Sequence, residues 1–136
     1  MEENNECIIR KVESKDMIKF MPLYKLATKW EFDDIFAREN LEEKISTEEE
    51  FVKHFNNSDV KVCYVAEIKD EIIGLMVGDM RSPMFVYGNK KFACLSALYI
   101  NPNCKNMGIV AKFKDIFKKW AKDNNADSYV IGILKP

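Results

Sequence analysis

The chain has 136 residues, 47% hydrophobic and 32% charged, with a formal net charge of −1. That length suits one domain with a real core, and the near-zero charge excludes a global field that would draw nucleic acid or an anionic membrane. No run of about 18 apolar residues offers a membrane span. The acidic, polar start MEENNEC lacks the basic and apolar stretches of a signal peptide.

Residues Cys7 to Val12 read as a first strand. Ser14 then offers an N-cap to a helix in which Met17, Phe20, Met21, Tyr24 and Leu26 keep helical apolar spacing. Pro22 predicts a kink or break in it. The stretch from Trp30 to Phe55 is helical and rich in charge. Trp30, Phe32 and Phe36 read as core, with the wall of an acceptor pocket as the other reading. Asp33, Asp34, Glu42, Glu43, Glu48, Glu49 and Glu50 read as a solvated helix face. Ser46 or Thr47, followed by Glu49 or Glu50, resembles a capping box opening a helix that holds Phe51, Val52 and Phe55. The single histidine, His54, follows Lys53 and is expected at the surface rather than in a catalytic or metal site.

Asn56, Asn57 and Ser58 punctuate the chain. Val60, Val62, Tyr64, Ala66 and Ile68 then alternate along a strand. Lys69 and Asp70 make a tight turn into a second strand, Glu71 to Met80, closing a hairpin. Asp79, late in that strand, is the nearest candidate for a proton acceptor. Arg81 to Pro83 bends the chain, Phe85 to Tyr87 extends the strand, and Gly88 with Asn89 turns again. Phe92 to Ile100 is almost wholly apolar, as a central strand covered on both faces would be.

Pro102 ends that strand, and a short polar turn with one glycine, Gly108, leads into a helix. Ile109, Phe113, Ile116, Phe117 and Trp120 share its buried face. The lysines between Lys112 and Lys122 read as its solvated face. Asn124 and Asn125 stop it, and Ser128 to Leu134 is a last strand. Cys7, Cys63, Cys94 and Cys104 show no C-x-x-C spacing. They point to a reducing, cytoplasmic setting with no disulfide framework and no metal site. Three of them sit in strand-like segments, whereas Cys104 falls in the polar turn and is expected to be exposed. The order β-α-α-β-β-β-α-β describes a single α/β (α+β) domain, with a mixed, mostly antiparallel sheet of about five strands flanked by helices.

A strand feeding a turn at a helix N-terminus is a natural anion site, because unpaired backbone N–H groups point outward there. At this point the sequence resembles the GCN5-related N-acetyltransferase (GNAT) family. The likeness rests on IIRKVESKDM (Ile8 to Met17), VCYVAEIKDEIIGLMVGDM (Val62 to Met80), LYINPNCKNMGIV (Leu98 to Val110) and Ala121 in the following helix. It implies acetyl-CoA as co-substrate, with Leu98, Tyr99 and Ile100 pairing their backbone with the pantetheine arm. Lys105, Asn106, Met107, Gly108, Ile109 and Val110 would then hold the pyrophosphate. Against the family loop V-x-P-x-Y-R-G-x-G-x-G, Ile100, Pro102 and Gly108 correspond. Cys104, Lys105, Asn106 and Val110 depart from the aromatic, the Arg or Gln, the first glycine and the final small residue. The β-branched Val110 either crowds the pyrophosphate or turns into the core.

The resemblance further implies a helix and two strands after the last strand, which this sequence lacks, together with the tyrosine such a helix often carries. The segment Lys91 to Ile100 has no Asp or Glu to serve as the family's usual proton acceptor, so no catalytic residue is carried over. Ser96 and Tyr99 read as core or groove lining, with a role in proton transfer as the other reading. The expected function is acetyl transfer to an amine of a small molecule or protein. The alternatives are a catalytically silent scaffold for protein contacts, which could pair two copies through the Ser128 to Leu134 edge, and one module of a larger assembly.

Overall fold

The computed structural model describes residues 6–27, 47–56, 60–81 and 91–131. In chain order these form strand β1 (Ile8–Lys11), a 3-10 turn (Ser14–Asp16), helix α1 (Met17–Ala27), helix α2 (Glu48–Phe55) and strands β2 (Lys61–Ile68), β3 (Glu71–Arg81) and β4 (Phe92–Ile100). A 3-10 helix (Pro102–Met107), helix α3 (Ile109–Asp123) and strand β5 (Ser128–Val130) complete the described chain. The sheet order is β1-β2-β3-β4-β5. All neighbours run antiparallel except β4 and β5, which are parallel. This is the mixed α/β architecture the sequence predicts.

The hairpin joining β2 and β3 turns at Lys69 and Asp70, both at positive φ (52° and 65°). Two successive left-handed residues match the right-handed twist of the flanking strands. Side chains then alternate between two apolar layers. Cys63, Val65, Leu75 and Val77 pack with Phe20, Tyr24, Phe51 and Phe55 of α1 and α2, whereas Val62, Ala66 and Met76 pack with Ile109, Phe113 and Phe117 of α3. The first layer is largely aromatic: the Phe20 ring meets Phe51 and Phe55 edge-on at 5.2 and 4.9 Å between centroids, a favoured geometry for ring quadrupoles. In the second layer β3 is glycine-notched. A Cβ on Gly78 would lie 2.9 Å from the Phe117 ring, so the missing side chain lets α3 seat closely on the sheet.

Several expectations are corrected. Strand β3 is in the middle of the sheet, and β4 lies inside it as expected, between β3 and β5. Strand β4 sends Ala97 and Tyr99 to one layer and Ala93, Leu95, Leu98 and Ile100 to the other, but Leu98 to Ile100 are only half-buried. Pro22 lies inside α1 without ending it. It sits at the sixth residue of the helix, where the lost N–H bond costs one rung and packing of the Phe20 face holds the rest. Leu26 points outward and is 62% exposed. Ser14 is not the cap; Glu13 N–H donates to the Asp16 carboxylate at 2.7 Å. Thr47 caps α2, accepting from Glu50 N–H at 3.1 Å. Of the predicted Ser128 to Leu134, Ser128–Val130 form strand β5, and residues 132–136 lie outside the described set. Also outside it are Trp30, Phe32, Asp33, Asp34, Phe36, Glu42, Glu43, Ser46, Asn57, Ser58, Pro83, Phe85 to Tyr87, Gly88 and Asn89.

Arg10 fixes the entry to α1. Its guanidinium donates to both Asp16 oxygens at 2.8 and 2.9 Å and to Glu67 at 2.9 Å. Burial pushes the Asp16 carboxyl up, but the Arg10 bonds and the Glu13 N–H more than offset it and hold it below the usual carboxylate range. Glu67 is lowered by the same Arg10 hydrogen bonds. The fork–fork pairing suits arginine's planar donors, and it ties β1, β2 and the 3-10 turn into one rigid corner.

Candidate coenzyme site

The two halves of β4 differ. Phe92, Ala93 and Cys94 pair with Ser128, Tyr129 and Val130 of β5. From Leu95 to Ile100 the same edge has no strand partner among the described residues. The far edge stays bonded to β3, with Gly74 opposite Ile100, Leu75 opposite Tyr99 and Met76 opposite Leu98. The register slips between Val77 and Gly78, which face Ala97 and Leu95, so Ser96 is an extra residue on β4. A bulge of this kind re-aims backbone groups and strengthens local twist. Its hydroxyl donates to the Val77 carbonyl at 3.2 Å. Among the described residues the result is a strand edge without a pairing strand, which is the kind of edge an extended ligand can join.

That open edge runs directly into the predicted anion turn. Asn101 caps the 3-10 helix, its side chain accepting from Asn103 N–H at 2.9 Å, and Pro102 occupies the first position, where no N–H is needed. Gly108 then sits at φ 71°, ψ 16°, a left-handed conformation that disfavours any Cβ. A Cβ there would meet nothing within 4 Å. The glycine is therefore demanded by backbone conformation, and the space in front of it is open. Gly108 N–H has no hydrogen bond among the described residues. The first bond of α3 is Lys112 N–H to the Gly108 carbonyl at 3.3 Å. The amides of Ile109, Val110 and Ala111 precede that bond and have no i→i−4 partner within α3. Its first turn carries no acidic residue. Lys105 and Lys112, both exposed, flank the turn without a carboxylate partner among the described residues. The partial positive charge of the helix end thus has two lysines near it in the chain, one in the 3-10 helix before it and one in the first turn of α3.

The predicted set divides clearly. Leu98, Tyr99 and Ile100 lie on the open half of β4, while Lys105, Met107, Gly108, Ile109 and Val110 follow along the turn and the start of α3. Asn106 is within the 3-10 helix. The Ile109 side chain is buried in the α3 layer, so only its backbone faces the turn. Val110 is half-buried and belongs to neither apolar layer. Cys104 is half-buried against the α3 layer instead of exposed.

Asp79 is on β3, opposite Cys94 in the paired half of β4, and its carboxylate contacts the Lys61 ammonium at 3.5 Å. It does not border the open edge. His54 is half-buried, not a bare surface residue: its ring meets Phe55 edge-on and its Nε2 lies 3.4 Å from Lys61 Nζ. A cleft of about 310 Å³ at that far end, lined by Lys61, Tyr64, Lys119 and Trp120, has two of its cations ion-paired, Lys61 to Asp79 and Lys119 to Asp123.

Two features escaped the sequence reading. The Ser96 bulge has no local signal, since it arises from pairing with β3. Lys112 had one: a lysine early in a helix without an acidic first turn opposes the dipole, and such a residue makes sense opposite an external anion.

The fold agrees with the comparisons. Residues 23–134 match the acetyltransferase (GNAT) family model, and the chain belongs to that family. Its fold is similar to that of the aminoglycoside N-acetyltransferase AAC(6')-Iy in complex with CoA, at 12% identity, with 100% of this chain on 82% of that one and a TM-score of 0.70. It is also similar to glucosamine-6-phosphate N-acetyltransferase from Arabidopsis thaliana, at 16% identity, 93% of this chain on 82% of that one and a TM-score of 0.64. A third similar structure is ribosomal-protein-alanine N-acetyltransferase from Brucella melitensis biovar Abortus 2308, at 12% identity, 96% on 82% and a TM-score of 0.61. No curated protein matches the chain in sequence. No helix among the described residues is long and apolar enough to cross a membrane.

Proposed function

We propose that this single domain binds acetyl-CoA along the open half of β4 and transfers the acetyl group to an amine of a small molecule or protein. The observation that carries the reading is the continuity of the β4 edge from Leu95 to Ile100, which has no strand partner among the described residues, with the Gly108 turn. A pantetheine arm would lie as an added strand against Leu98, Tyr99 and Ile100. The pyrophosphate would meet the amides from Gly108 to Ala111, with Lys105 and Lys112 supplying point charges. Asn106 and Met107 complete the turn. The solved structures similar in fold support the acceptor class: their names specify aminoglycosides, a protein alanine and glucosamine-6-phosphate.

The chemistry asks mainly for placement. A neutral amine attacks the acyl carbon once the two are held in near-attack geometry, and such placement supplies much of the barrier reduction, on the order of 7 kcal/mol or more. The rigid β3–β4 pairing and the closely seated α3 hold the thioester side of that geometry. Isothermal titration with acetyl-CoA and with coenzyme A tests the reading. Saturable binding in the micromolar range is expected, and no heat at millimolar ligand would overturn it.

A further inference from the structure

Two cysteines far apart in the chain come to the same end of the sheet. Cys7 directly precedes β1, whose first residue, Ile8, pairs with Glu67 near the hairpin end of β2. Cys104 lies in the 3-10 helix after β4, its N–H donating to the Asn101 carbonyl at 2.8 Å. Asn101 N–H in turn donates to the Ile73 carbonyl at 2.7 Å, two residues into β3 from the same hairpin. Both cysteines are half-buried and pack against the same layer, the one formed with α3. Burial pushes the Cys7 thiol up, the Lys112 ammonium opposes this, and the Cys104 thiol adds to the rise. Cys7 therefore borders both the first turn of α3 and the 3-10 helix before it. The other cysteines lie elsewhere. Cys63 is fully buried in the layer formed with α1 and α2, and Cys94 is on the half of β4 paired with β5, opposite Asp79.

We propose that Cys7 and Cys104 join reversibly in a disulfide that lowers the affinity of the Gly108 turn for coenzyme, a consequence that rests on the coenzyme reading above. The oxidant is a low-molecular-weight disulfide such as oxidised glutathione. One protein thiolate attacks a glutathione sulfur and releases the first glutathione thiolate. The second protein thiolate attacks the protein sulfur of the mixed disulfide and releases the other. The protein thiols give up two electrons and two protons; the glutathione disulfide takes up both and leaves as two thiols. A disulfide holds its Cα atoms within about 7 Å of each other, so the bond ties the 3-10 helix to the start of β1. Lys105, Asn106, Met107 and Gly108 follow Cys104 directly. Tethered at their base, they lose the freedom to close on a diphosphate.

The test compares the unmodified chain with Cys7→Ser and Cys104→Ser, each reduced or equilibrated with oxidised glutathione. The titrant is dethio-coenzyme A, which has no thiol to reopen the bond. Non-reducing peptide mapping by mass is expected to find a Cys7–Cys104 link, with the loss of two hydrogens, in the oxidised unmodified chain and in neither variant. Oxidation should lower the affinity of the unmodified chain roughly tenfold, the scale of one lost bond from an amide to a charged phosphate. Dithiothreitol should restore it, and Cys104→Ser should keep its affinity under the same oxidation. No link, a link to Cys63 or Cys94 instead, a linked chain of unchanged affinity, or an equal loss in Cys104→Ser overturns the proposal and leaves the coenzyme reading standing. A reduced, unmodified chain that does not bind dethio-coenzyme A sinks the coenzyme reading and this inference with it.

Discussion

Helices α2 and α3 begin in opposite ways. The first turn of α2 carries Glu48, Glu49 and Glu50, and Thr47 caps it, so its orphan amides and positive dipole end are satisfied from within the chain. The first turn of α3 has no acid, a left-handed glycine in place of a cap, and exposed Lys105 and Lys112 beside it. A helix start optimised for stability looks like the former. One left without an acid, at the end of a strand edge that has no partner among the described residues, would suit the external anion proposed above. The contrast separates residues that hold the fold from residues available to a ligand.

Making α3 begin like α2 should produce the largest effect. In Gly108→Asp the new carboxylate would face the proposed pyrophosphate at close range. Coenzyme affinity should fall on the order of a hundredfold, about 2–3 kcal/mol for like charges a few ångströms apart near a protein surface. The fold should survive, since aspartate tolerates the left-handed conformation better than most residues. Titration calorimetry alongside thermal unfolding separates the two outcomes; equal affinity would break the contrast. The converse change, Thr47→Ala, should cost about 1 kcal/mol of unfolding free energy in urea titrations and leave coenzyme affinity unaltered. The smallest effect belongs to Lys105→Ala. Stability should shift by less than about 0.5 kcal/mol, coenzyme affinity should fall roughly three- to fivefold at low salt, and its dependence on ionic strength should flatten.

Much of this arrangement is legible in the sequence because its causes are local. The Lys69–Asp70 turn, the amphipathic face of α3 and the Thr47 cap each follow from residues a few positions apart, and all three appear in the structure. The glycine of the anion turn is readable for the same reason, since Gly108 needs its φ of 71° whatever surrounds it. Strand identity in β4 was also readable, but the half-burial of Leu98 to Ile100 was not. An unbroken apolar run describes a strand with neighbours on both faces equally well as one whose upper half borders a groove. Pro22 misled for a related reason: propensity argues for a break, and packing of Phe20 and Tyr24 on the sheet overrides it.

Local spacing therefore determined the elements, their order, the hairpin and the uncapped start of α3, because backbone preferences and helical or strand periodicity act over a handful of residues. The tertiary structure decided the order of the strands in the sheet and the parallel register of β5 on β4. It also decided that Ser96 bulges, and that Arg10 reaches Glu67, 57 positions away. Those outcomes depend on register and on pairing between distant segments, whose energies no single stretch of sequence contains.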